Sequence, residues 1–175
     1  MTRKQVGTTP ESLGGLRTEI AKVAFEDQYP AYQYQMVEFV TEHLADLSRV
    51  FRGDLQEMLV LAIIGQLALR AHMTALAEPN PANLKKIGTA ITASRLADVT
   101  GIPRQTVRRK LKSLEERGWI SRTGSASYQL TVTDGQSTAG AELRAVDQRS
   151  IERAARLFSG LEKILTNEPP TKPSS

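Results

Sequence analysis

A chain of 175 residues with a net charge of +4 is long enough to bury a core unaided, as one domain or one domain with helical extensions. It contains no cysteine, which removes disulfides, thiolate metal sites and thiol redox sensing together and fits a reducing, cytoplasmic setting. Its two histidines, His43 and His72, stand apart from each other and from any ligand cluster, so no metal or other cofactor is expected.

Residues 1–16 carry charges but no apolar run, so they read as a flexible N-terminal arm rather than a signal peptide. Residues 17–87 read as N-terminal helices. Val37, Val40, Leu44, Leu47 and Phe51 recur at 3-4-3-4 spacing in a helix starting near Tyr29-Pro30. Glu38, Glu42 and Asp46 recur every four residues and predict a solvated acidic stripe opposite that seam, with His43 on the same wet surface. Residues 55–77 form a second helix. Its apolar run, Met58 to Leu69 with Gln66 interrupting it, falls short of the ~20 residues a bilayer span needs, so a central buried helix and no membrane contact are expected. Glu78-Pro79-Asn80-Pro81 is the stop signal.

Residues 88–133 concentrate the charge. Between Thr92 and Val132 eight cations face three acids, a surplus of five, larger than the surplus of the whole chain. A local excess of this kind is the footprint of a nucleic-acid site. The segment TASRLADVTGIPRQTVRRKLKSLEERGWISRTGSASYQLTV predicts a helix, a tight turn, a second helix and a hairpin. Ala97 allows close helix crossing, Gly101 can take the left-handed conformation that ends the first helix, and Ile102 plugs the turn. Pro103 has a backbone suited to the start of the next helix. Val107, Leu111 and Leu114 share one face of that helix. Gln105, Arg109 and Lys112 lie opposite, and Thr106 and Arg108 lie on the shoulders. Cations fill the early turns and Glu115 and Glu116 the late ones, against the helix dipole at about 0.3–1 kcal/mol per charge. Thr92 is a candidate N-cap, with Arg95 where a capping box would have glutamate. Trp119 to Thr123 and Tyr128 to Val132 read as strands joined by Gly124-Ser125-Ala126.

The string SRLADVTGIPRQTVRRKLKSLEERGWI resembles the winged helix-turn-helix of bacterial transcriptional regulators, with the MarR type as the nearest named relative. The wing lacks the greater length and the Asp-x-Arg stretch usual in that family. The resemblance implies a mainly α fold with a small β-hairpin wing, in which the second helix enters the major groove. Gln105, Thr106, Arg108 and Arg109 would then face base edges, with Arg109 leading. Thr92, Ser94, Arg95, Arg104, Lys112 and Arg122 would contact phosphate or, from the wing, the minor groove. The structural alternatives are an ordinary exposed basic face, compensated by Lys112 with Glu116, and a plain hairpin.

Residues 138–166 predict a C-terminal helix with Ile151, Ala154, Phe158, Leu161 and Leu165 in register, and residues 167–175 a disordered tail. The two stripes could pack within the monomer. They could also build a homodimer, as terminal helices do in MarR-type proteins. No nucleotide-binding motif or paired acid–base constellation is present, so an enzyme is not expected. The leading reading is a homodimeric regulator of transcription that binds double-stranded DNA. The others are a winged-helix protein-interaction module and a sensor with a small-molecule effector between residues 55–77 and the terminal helices.

Overall fold

The computed structural model describes residues 10–77, 89–124 and 126–166. Among them are α1 (Pro10–Asp27), α2 (Tyr29–Val50), α3 (Leu55–Ala77), β1 (Ile91–Thr92), α4 (Ala93–Thr100), α5 (Arg104–Glu116), β2 (Ile120–Thr123), β3 (Ser127–Leu130), β4 (Val132–Thr133), β5 (Gln136–Ser137) and α6 (Thr138–Thr166). The protein is mostly helical with a small antiparallel sheet component. It divides into two compact units, Ala45–Gln148 and the residues that flank this stretch on both sides.

The unit Ala45–Gln148 holds the main core. Val60 and Ile64 of α3, Leu96 of α4, and Val107, Leu111 and Leu114 of α5 are all fully buried, together with Trp119 and Ile120. Each is apolar and sits at helical or strand spacing, and burying one such side chain contributes about 1.5–3 kcal/mol. Three strands close the cluster in the order β1-β3-β2, all antiparallel. Tyr128 of β3 lies between Ile91 on one side and Arg122 on the other. A second, two-stranded hairpin pairs Val132 with Ser137 and Thr133 with Gln136. Its turn is Asp134-Gly135, with φ of 52° and 77°. Two successive left-handed residues match the twist of a tight hairpin, which is why Asp-Gly is favoured there. That dipeptide signals this hairpin in the sequence, although only the first hairpin was expected.

Several expectations need correction. α1 begins at Pro10, inside the segment read as a flexible arm. Phe51, expected at a dimer seam, is only 4% exposed and packs edge-on to Trp119 with ring centroids 5.6 Å apart. Leu47 packs partly buried against the same core. The lower end of that stripe is thus covered within its own unit. α3 is not buried throughout. By length and composition alone its 23 residues are enough to cross a membrane, whereas the Met58–Leu69 run taken by itself falls short of that length. Its buried residues are confined to Glu57, Val60, Leu61 and Ile64. Leu69, Met73 and Leu76 are 63%, 69% and 72% exposed. The α3 stop signal at Glu78–Pro81, residues 1–9 of the arm and the tail at 167–175 lie outside the described residues.

In the flanking unit, polar contacts tie α1, the first part of α2 and the last part of α6 together beside half-buried apolar side chains such as Phe25, Phe39 and Leu161. Gln28 donates from its side chain to the Ile164 carbonyl at 3.0 Å. Arg153 and Arg156 both donate to one Glu42 oxygen, at 3.0 and 2.7 Å. Glu42 is therefore not part of a free acidic stripe. Asp46, in the other unit, is buried and accepts from Arg49, and Glu38 accepts from the Tyr34 hydroxyl at 3.1 Å. His43 is half-buried and stacked on Phe39, with its Nδ1 enclosed, rather than solvated. Among the described residues of this unit Ile164 is the sole buried apolar side chain.

Candidate nucleic-acid interface

The interface candidate is the surface of α4, the turn after it, α5 and the β2–β3 hairpin. Local chemistry sets the helix ends. The Thr92 hydroxyl accepts from the Arg95 amide at 3.2 Å and caps α4. Gly101 ends α4 with φ of 71°, its amide bonding the Ala97 carbonyl at 2.9 Å. A residue with a Cβ pays about 1–2 kcal/mol in that conformation. Pro103 lies just before α5 with φ of −55°, and its carbonyl receives the Val107 amide at 3.0 Å. At the far end the Trp119 amide bonds the Leu114 carbonyl at 3.0 Å, which turns the chain directly into β2.

Two cations of the basic segment point inward and fix α5 in place. Lys110 is 9% exposed and pairs with Asp54, the residue that also caps α3 by accepting from the Glu57 amide at 3.0 Å. Burial pushes the Asp54 carboxyl up, but the bond to Lys110, the Glu57 amide and the charges of Lys110 and Arg109 hold it below its ordinary value of 3.8. Glu57, 7% exposed, takes Arg117 at 3.3 Å. The Arg117 guanidinium also lies 3.5 Å from the centre of the Trp119 ring. Asp54-x-x-Glu57 reads as a capping box at the start of α3. Its carboxylates instead brace the middle and the C-terminal end of α5, Asp54 at Lys110 while still capping and Glu57 at Arg117 instead of reaching back. Sequence reasoning counted Lys110 and Arg117 in the outward footprint. Lys110 follows Val107 by three residues, so the helical spacing that found the core stripe also places it beside that stripe.

Six cations of the segment remain exposed: Arg95, Arg104, Arg108, Arg109, Lys112 and Arg122. They face the three exposed acids Asp98, Glu115 and Glu116, which leaves a surplus of three. Arg104 lies 3.9 Å from Asp98, and Lys112 lies 3.6 Å from Glu116, the compensation expected from their spacing. Both pairs are well solvated and worth little. Arg95, Arg108 and Arg109 make no ion pair among the described residues. Gln105 is exposed beside them, and Thr106 is half-buried. Neither end of α5 is electrostatically favourable, since its first turn holds no acid and its last turn no base.

The remaining expected contacts are distributed less evenly. Ser94 is half-buried in the first turn of α4. Thr92 uses its hydroxyl oxygen as the cap. Arg122 in β2 donates to the Tyr128 hydroxyl at 3.3 and 2.9 Å, so its guanidinium is held along the hairpin. In the two stripes, Val37, Val40, Leu44, Ile151, Ala154, Phe158 and Leu165 are exposed and Leu161 is half-buried.

Residues 83–156 are similar to the family described as the HVO_A0261 N-terminal domain. The match covers the candidate interface and most of the unit that carries it, names no activity, and lends no support to the bacterial origin that the resemblance implied. The chain matches no curated protein and no solved structure.

Proposed function

We propose that the protein is a DNA-binding regulator of transcription in which α4 and α5 act as a helix-turn-helix and the β2–β3 hairpin as its wing. One observation carries the reading. Arg108 and Arg109, without ion partners among the described residues, stand with Gln105 on the exposed early turns of a helix that is anchored through Lys110 and, just past its end, Arg117. An isolated helix gains nothing from cations at its positive end, whereas a helix presented to phosphates and guanine edges does. The position of a helix after a tight turn, on a rigid core, matches the geometry in which early residues read bases.

In this reading Arg109 and Arg108 contact base edges, with Gln105 and Thr106 beside them. Arg104, Lys112, Arg95, Ser94 and Thr92 hold phosphates, and Arg122 contacts the backbone or minor groove once released from Tyr128. The protein acts in the cytoplasm as a homodimer, because a single recognition helix reads only a few base pairs. A ligand-gated sensor draws less support. The apolar surplus it relied on divides into a core face of α3 and a solvent-facing one.

The test is selection of bound duplexes from a random pool, followed by anisotropy titration of the recovered site. Arg109→Ala is expected to relax base preference, with a loss of about 1–3 kcal/mol on the selected site and little on random DNA. Lys112→Ala is expected to weaken all duplexes alike and lower the salt slope by about one. Recovery of no motif, or equal losses for both variants on every duplex, would refute the assignment and favour an acidic protein partner.

A further inference from the structure

α3 carries a second apolar stripe that its own unit does not cover. Leu55, Leu59, Ala62, Gln66, Leu69 and Met73, closing on Leu76, are all exposed. Their spacing alternates four and three without a break over the length of the helix, the period of a paired-helix seam. They lie opposite Val60 and Ile64, which face the core.

We infer that this face pairs antiparallel with the same face of a second copy of the chain, with Gln66 on the two-fold axis. The stripe is nearly symmetric about Gln66. Leu59 and Met73 are seven residues to either side, Ala62 and Leu69 four and three, and Leu55 and Leu76 eleven and ten. A face that reads alike in both directions fits itself, as an isologous contact requires. One polar residue in an apolar seam fixes register, and here it meets its own amide, which both donates and accepts. Arg70, the exposed charge on this helix, disfavours the parallel alternative. Pairing about Gln66 separates the two Arg70 positions by about 12 Å along the axis, whereas parallel pairing sets them side by side.

The area suffices. Five exposed Leu and Met side chains offer roughly 500 Å² per copy, or about 1,000 Å² for the pair, the least that a specific interface needs. A bilayer fits less well, because it would have to accept Arg70, Gln66 and His72 on a helix whose start is held to α5 by Asp54 and Glu57. The pairing also sets the spacing of the two α5 helices. Their anchors on α3 would lie about 27 Å (Glu57) to 36 Å (Asp54) apart along the axis, a range that includes the 34–36 Å of one DNA turn. That last argument rests on the proposed DNA reading, and the others do not.

The absence of cysteine makes the test direct. Full-length Gln66→Cys is expected to form a disulfide-linked dimer under mild oxidation. Leu59→Cys and Met73→Cys are each expected to stay unlinked alone and to crosslink when mixed. Leu69→Glu with Met73→Glu is expected to sediment as a monomer with an unchanged far-ultraviolet spectrum. A dimer that Gln66→Cys does not link, crosslinking of Leu59→Cys to itself, a wild-type chain that is monomeric at tens of micromolar, or binding to phospholipid vesicles by α3 would each overturn the proposal. None of these readouts involves DNA, so they stand or fall apart from the operator selection. A Val37→Glu or Phe158→Glu variant that alone dissolves the dimer would move the seam to the terminal stripes.

Discussion

Replacing Lys110 by Met tests whether α5 is held by charge as well as by apolar packing. The substitution keeps the unbranched stem and removes the ammonium that pairs with Asp54. Breaking a fully buried pair costs about 3–5 kcal/mol, because the partner charge is left without compensation. Asp54 is about 30% exposed at its side chain and keeps the Glu57 amide, so the expected loss at pH 7 is nearer 1.5–3 kcal/mol. The pH dependence has a definite sign. The Asp54 carboxyl is depressed in the folded state, so it contributes stability above its ordinary value of 3.8 and loses it as pH falls through the lower folded value. Wild type and Lys110→Met should therefore differ most near neutral pH, and the difference should shrink as pH falls below the ordinary carboxylate value of 3.8 and vanish once Asp54 is protonated in the folded state. Urea unfolding followed by fluorescence measures this well, since the chain has one tryptophan, Trp119, fully buried in the same core. A loss under about 0.5 kcal/mol at pH 7, or a difference that does not diminish as pH falls below 3.8, would refute the argument.

Gly101→Ala should destabilise the same unit by about 1 kcal/mol through backbone strain alone, since a Cβ at that position meets no neighbour within 4 Å. A loss several times larger in the same urea titration would point to a clash. Thr92→Ala should cost about 1 kcal/mol by uncapping α4, and Thr92→Ser should restore most of it. Equal stability of all three residues would mean that the cap bond contributes nothing in solution. At the second hairpin Asp134→Asn should be nearly neutral, whereas Gly135→Val should weaken the β4–β5 pairing, because valine tolerates a φ of 77° poorly. Loss of slow exchange at the Thr138 amide, which donates to the Thr131 carbonyl across this hairpin, in Gly135→Val but not in Asp134→Asn is the expected pattern.

The local devices were legible in the sequence because each depends on neighbours in the chain. The Thr92 cap, the left-handed Gly101 and the Val107–Leu111–Leu114 stripe follow from backbone geometry within a few residues. So do the start of α2 at Tyr29, the whole span of α3 and the span of α6. The hairpin around Gly124 was equally visible, while β1 was not, because two residues carry no period and Ile91 becomes a strand by pairing with Tyr128. The destinations of Lys110, Arg117 and Phe51 were less accessible. Asp54 is 56 residues from Lys110, and Glu57 is 60 from Arg117. Nothing in local charge order reveals which cations such distant carboxylates will claim. Phe51 matched the spacing of an outward seam and was taken by Trp119 instead.

The sequence alone determined where the helices begin and turn, and that an unusual density of cations falls on one of them, since propensity, capping and periodicity act over short range. Which of those cations face solvent was decided only by the tertiary structure, as was which half of α3 meets a core. Burial and ion pairing depend on where remote segments come to rest. A charge acquires its role from the groups the fold brings within a few ångströms of it.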